Sequence, residues 1–168
     1  MNKFMKKVTL FLFLSIFMTS FFSLSSVYAE SEVDYVVDNG DFLTEEEEAE
    51  LTEIIEEIVQ RQEFDIVVLT GLTEFDFPQD IADDFYDYNG YREDGVLFYV
   101  SETSWAISTS GEGIDVYTEY NLDEFENKCV DLVRNGEYYD AFTSYANFTD
   151  DLLNDSRSFS WFLNLIIF

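Results

Sequence analysis

YREDGVLFYVSETSWAISTSGEGID, running from Tyr91 to Asp115, is the stretch whose reading decides the fold. Glu93-Asp94-Gly95 is an acidic turn that feeds an apolar run, Val96 to Val100, with no polar alternation. A strand that is apolar on both faces is covered on both faces, so this run is predicted to be a central strand. Ser101 to Ser104 reads as a turn and Trp105 to Thr109 as the second strand of a β-hairpin. On that strand Trp105, Ile107 and Thr109 share one face and Ala106 and Ser108 the other, because side chains alternate with a period of two. The stretch closes on Gly111-Glu112-Gly113, with Asp115 just beyond.

Upstream of the hairpin, Asp34 to Val37 reads as a short strand and Asp38-Asn39-Gly40-Asp41 as a turn. Thr44 followed by Glu47 makes a capping box. Leu51, Ile54, Ile55, Ile58 and Val59 then lay out one apolar helical face, predicting a helix to about Gln62 with a solvated glutamate-rich back. Asp65 to Thr70, rich in β-branched residues, reads as a buried strand, and Gly71 to Asp76 as a connection. Pro78 opens a second helix carrying Ile81, Ala82, Phe85 and Tyr86, which Asn89-Gly90 ends.

Downstream, Asn121 and Glu124 are expected to cap a helix bearing Leu122, Phe125, Cys129, Leu132 and Val133, stopped at Asn135-Gly136. A last helix is expected from Glu137 to about Leu153, using Tyr139, Phe142, Tyr145, Ala146 and Leu153. Early strand–helix alternation with a hairpin in the middle predicts an α/β chain, a three-layer α/β/α sandwich. Its mixed sheet has about four strands with helices on both faces.

Three segments follow. Residues 1–29 have a basic start at Lys3, Lys6 and Lys7, an apolar run from Val8 to Leu24, and Val27-Tyr28-Ala29 at the end. This is the layout of a secretory signal peptide cleaved after Ala29, the other reading being an uncleaved anchor. Residues 30–155 form the domain. Residues 156–168 form an apolar tail around Trp161, too short to span a bilayer. It reads as a segment that docks in a groove, lies in a membrane interface, or begins a transmembrane helix. The expected location is extracytoplasmic, either secreted or tethered to the outer face of the membrane.

Composition narrows the chemistry. The net charge is −28, and losing residues 1–29 removes three lysines and no acid, making it more negative still. Such a surface excludes nucleic acid as a partner and favours divalent cations or basic partners, while also keeping an exported domain soluble. There is no histidine, so histidine-based triads and metal sites are excluded. Cys129 is the single cysteine, so no intrachain disulfide exists, and its helical spacing makes it a core residue. A metal would have to be held by oxygen, which favours calcium, magnesium or manganese. The candidate ligands are Asp38, Glu93, Asp94 and Asp115, expected to converge if their loops fold to one end of the sheet; each is equally a turn-forming or capping acid. No catalytic residue can be assigned.

These motifs, taken in order, resemble the TPM domain, a module named for thylakoid-lumen, photosystem II-repair and synaptic-modulator proteins. The carriers are Val36-Val37-Asp38 with Phe42-Leu43-Thr44, Ile66 to Thr70, Asp94-Gly95-Val96-Leu97, Gly111-Glu112-Gly113 with Asp115, and Gly136 with Tyr139 and Ala141-Phe142. The chain departs from the family pattern at Ser104-Trp105 and Tyr117-Thr118, where basic residues are usual. The resemblance implies an α/β/α sandwich whose acidic loops hold a divalent cation, calcium or magnesium. It implies work at a membrane, in maintaining or assembling membrane protein complexes; the missing histidine, scarce arginine and lack of an obvious nucleophile make the expected role a non-enzymatic accessory one. The alternative it implies is a metal-dependent acid phosphatase.

Overall fold

A computed structural model describes residues 33–71 and 77–166. The signal-peptide reading of residues 1–29 lies outside that range, as does the connection after Gly71. The strands are β1 (Val36–Asp38), β2 (Asp65–Gly71), β3 (Gly95–Ser101) and β4 (Trp105–Ser110). The helices are α1 (Glu45–Gln62), α2 (Pro78–Tyr88), α3 (Glu112–Val116), α4 (Glu119–Phe125), α5 (Asp131–Asn135) and α6 (Tyr138–Ile166), with a wider π-helical turn over Glu126–Val130 joining α4 to α5.

The strands stand in sequence order, β1-β2-β3-β4. β1 and β2 are parallel with Asp38 opposite Thr70, and β2 and β3 are parallel with Asp65 opposite Gly95. β3 and β4 form the expected antiparallel hairpin, with Phe98 opposite Ile107. Every residue of β3 is buried, as the unbroken apolar run required.

Alternate residues of the sheet serve two cores. On one face Val36, Ile66, Val68, Val96, Phe98 and Val100 pack with Leu51, Ile55, Ile58 and Val59 of α1 and with Phe125, Cys129, Phe142 and Tyr145 of the later helices. On the other, Val67, Leu69, Leu97, Tyr99 and Ala106 pack with Ala82 and Tyr86 of α2. Each large apolar side chain so buried contributes roughly 1.5–3 kcal/mol. The strands advance in one direction while α1 and α2 cover opposite faces, so the two parallel crossovers have opposite hands. One of them is therefore the left-handed kind that parallel sheets rarely use.

Local signals explain most boundaries. Thr44 and Glu47 form the reciprocal capping box at the start of α1. Pro78 occupies the first turn of α2. Three expectations are corrected. The cap of α4 is Thr118, which accepts from the Asn121 N–H at 3.3 Å, while the Asn121 side chain donates to the Val116 carbonyl instead. Gly111-Glu112-Gly113 is not an open loop but the entry to α3. The last helix does not end near Leu153; α6 runs on through the polar Asn154-Asp155-Ser156-Arg157, because none of these residues breaks a helix and Arg157 is held from the far side. Ile166 lies 13 residues past Leu153, or roughly 20 Å along a helix axis. No described helix is long and apolar enough to cross a membrane.

Candidate functional site

The site is built where the start of β3 meets the start of α3, and glycine decides its shape. A Cβ on Gly113 would stand 2.3 Å from the Gly95 carbonyl oxygen. A Cβ on Gly95 would meet the Tyr86 hydroxyl at 1.8 Å and the Asp65 carbonyl at 2.7 Å. Gly111 takes a φ of 53°, and a side chain there would strike Asp94 Oδ1 at 2.1 Å. Asp94-Gly95 and Gly111-Glu112-Gly113, eighteen residues apart at Asp94 and Glu112, therefore press backbone against backbone. Asp94 Oδ1 fastens the junction by accepting the Glu112 N–H at 2.7 Å.

Two ion pairs flank the junction. Asp65 is buried, and its carboxylate accepts from the Arg92 N–H and Nη1, both at 2.6 Å, and from the Tyr35 hydroxyl at 3.3 Å. The Tyr86 hydroxyl donates to the Arg92 carbonyl at 2.9 Å and Tyr91 donates to the Asp34 carbonyl at 2.6 Å. Burial first, and then the negative charge of Asp65 for Tyr86 and of Asp34 for Tyr91, pushes both phenols far above their ordinary range, so they stay neutral donors. On the other side Arg157 of α6 meets Glu112 through Nε at 3.2 Å and Nη2 at 2.7 Å. Its Nη1 donates to the Gln62 carbonyl and side-chain oxygen, each at 2.8 Å. Arg157 thus closes the C-terminal end of α1, where helix carbonyls concentrate negative charge. Glu112 raises the pKa of Arg157 further by accepting these bonds.

A family model described as the TPM domain matches residues 36–151. The chain belongs to the TPM domain family. Three solved structures show the same TPM fold. The BA42 protein of Bizionia argentinensis is 23% identical with a TM-score of 0.59, covering 68% of this chain and 83% of its own. The N-terminal domain of a P. gingivalis protein is 15% identical with a TM-score of 0.61, covering 76% and 86%. The N-terminal domain of cg2496 from Corynebacterium glutamicum is 14% identical with a TM-score of 0.57, covering 76% and 84%. No curated protein matches the chain. The TPM hallmarks read from the sequence, Asp94-Gly95 and Gly111-Glu112-Gly113, are the two halves of the glycine junction.

The four acids expected to converge are divided by the TPM sheet. Asp38 lies beside Thr70, which pairs with Val100, whereas Asp94 immediately precedes Gly95 at the other end of β3. Val100 stands five steps along β3 from Gly95, about 17 Å at a strand's rise. Asp38 is also occupied: Oδ1 accepts from the Phe42 N–H at 3.2 Å and from the Thr70 hydroxyl, and Oδ2 from the Leu43 N–H at 2.8 Å. Glu93 and Asp94 adjoin the glycine junction and Asp115 sits on α3, all three exposed. Among the described residues no three acids or cysteines are gathered in a metal-holding group. The full set Asp38, Glu93, Asp94 and Asp115 does not fit one cation.

Sequence reading missed Arg157, Gln62 and Asp65 at this end. Only Arg157 left a signal, as a lone cation in the polar stretch before the tail; its arrival beside Glu112 depends on α6 continuing unbroken. Cys129 is buried as expected, and burial pushes its thiol up to about 12, with Lys128 opposing weakly.

Proposed function

We propose that this TPM domain is an extracytoplasmic accessory module that docks on a membrane-bound protein complex and does not itself turn over substrate. The observation that carries this reading is the length of α6. It continues 13 residues past the buried Leu153 to Ile166, and on that stretch Phe159 and Trp161 are exposed, at 65% and 66%. Arg157, one helical turn before Trp161, is anchored to Glu112 and Gln62, so the projecting helix is fixed to the glycine junction rather than loosely appended. Tryptophan beside a long cationic side chain suits the boundary between protein, water and membrane. The anionic surface favours a basic or apolar protein partner over anionic lipid. Removing residues 156–168 is expected to abolish co-sedimentation of the chain with membranes bearing its partner while leaving the fold intact. Undiminished co-sedimentation would end the proposal.

A metal-dependent acid phosphatase is the second reading, and one observation favours it. Arg157 brings a second guanidinium, beside Arg92, to the acidic end, and phosphoryl transfer requires positive charge around the phosphate. The matching family model carries the name TPM_phosphatase. Glu93, Asp94 and Asp115 with water would have to supply the cation's oxygens, since Asp38 stands at the far end. The discriminating experiment measures phosphomonoester hydrolysis with magnesium or calcium, with EDTA, and in an Asp94→Ala, Asp115→Ala double variant. EDTA-sensitive turnover that the variant lacks would replace the accessory reading; equal rates in all samples would remove the phosphatase one.

A further inference from the structure

Three Asn-Gly pairs end or begin elements of this chain: Asn39-Gly40, Asn89-Gly90 and Asn135-Gly136. Each invites the same reaction with water. The glycine amide nitrogen attacks the asparagine Cγ, a ring C–N bond forms, and Nδ2 leaves as ammonia with the proton the glycine nitrogen gives up. Water then opens the cyclic imide at either carbonyl, leaving aspartate or isoaspartate. Glycine favours the step because it has no side chain to crowd the ring, but the nitrogen must be free to lose its proton.

The structure separates the three. The Gly40 N–H, itself buried, donates to Thr70 Oγ1 at 2.8 Å. The Gly136 N–H donates to the Val133 carbonyl at 3.0 Å in the left-handed cap of α5. At Asn89-Gly90 both residues are exposed, a Cβ on Gly90 would meet nothing within 4 Å, and among the described residues no acceptor lies on the Gly90 N–H. The single restraint is the Asn89 side chain, whose Nδ2 donates to the Phe85 carbonyl at 2.7 Å on an exposed helix end.

We propose that Asn89 is the chain's self-modification site, converting through a cyclic imide with Gly90 to aspartate and isoaspartate. The position matters because Gly90 leads straight into Tyr91-Arg92-Glu93-Asp94, the segment that sets the glycine junction. An isoaspartate would lengthen that backbone by one methylene, next to the Tyr91 hydroxyl bond to Asp34.

The test incubates the folded full chain at mildly alkaline pH and maps peptides by mass spectrometry, with a parallel sample in concentrated urea. At Asn39 and Asn135 the attacking glycine nitrogen must first give up its own hydrogen bond, which the Gly90 nitrogen need not, so in the folded chain Asn89 is expected to react roughly tenfold faster than Asn39. In urea, where only the shared Asn-Gly sequence remains, the three rates should draw together. Asn89→Gln, which disfavours the ring by one methylene, should remove the fastest product. Equal rates in the folded chain, or a lead by Asn39 or Asn135, would overturn the proposal.

Discussion

The two ends of the sheet carry the same kinds of residue and use them differently. At the end of β1 and β2, the Asp38 carboxylate accepts two backbone N–H groups and the Thr70 hydroxyl, and Thr70 Oγ1 accepts from the buried Gly40 N–H. That acid is spent on folding a turn. At the start of β3, three glycines bring two backbones together, Asp94 holds one N–H, and Asp65 and Glu112 are paired with Arg92 and Arg157. Glu93 and Asp115 remain exposed there. An acidic loop in the sequence therefore says nothing about availability; what decides it is how many backbone donors the local turn presents to the carboxylate.

Substitutions separate the two ends of the sheet, most strongly where the steric cost is greatest. Gly113→Ala forces a methyl against the Gly95 carbonyl, a backbone atom that cannot swing aside. It is expected to cost on the order of 3 kcal/mol in urea unfolding. Gly136→Ala meets nothing within 4 Å and is strained only by its positive φ of 80°, so a larger loss there would contradict a backbone-on-backbone contact at Gly113. Asp65→Ala comes next at about 2–3 kcal/mol, because it removes three accepted bonds from a buried acid. The figure stays below that for a fully buried pair because Arg92 is 41% exposed and can return to water. At the opposite end, Asp38→Ala is expected to cost about 1–2 kcal/mol, with Asp38→Asn recovering part since an amide oxygen still accepts. Arg157→Gln is expected to be smallest, about 0.5–1 kcal/mol, since both partners reach solvent.

Acid should sharpen the same contrast from outside both ends. For Asp150, burial alone would raise the carboxyl. The bonds from Arg61, Gln62 and Asn154 outweigh it and hold the group below its ordinary range. A carboxylate that titrates lower when folded contributes its full stability above the unfolded pKa and loses it as pH falls through the folded one. Unfolding midpoints should therefore drop below the normal carboxylate range, and Asp150→Asn should flatten that drop. An unchanged acid limb would show that the α1–α6 seam carries no linked proton.

Much of the fold was open to sequence reading because strong local signals agreed with the tertiary outcome. The unbroken Val96–Val100 run required two covered faces, and Thr44 with Glu47 had one sensible use. The errors share a cause: distant residues decided them. Asn121 resembled a cap, but Thr118 stood nearer the first free N–H groups. Gly111-Glu112-Gly113 looked like a loop because its glycines serve a close approach to Gly95, which no local pattern announces. Asn154 to Arg157 looked like a break, yet Gln62 and Glu112 from other elements hold Arg157 in helix. Of the candidate acids, Glu93 and Asp94 adjoin the junction and Asp115 follows on α3. Asp38 does not, since parallel pairing carries the end of β1 to the end of the sheet away from the start of β3.

The proposed docking rests on the part of α6 beyond Leu153. The most direct measurement compares the full chain with a Phe159→Ser, Trp161→Ser variant for retention on detergent-solubilised membranes from the organism that makes it, each with and without EDTA. The predicted result is retention by the unaltered chain and loss by the variant. Equal retention of both, or release of the unaltered chain by EDTA, would contradict it.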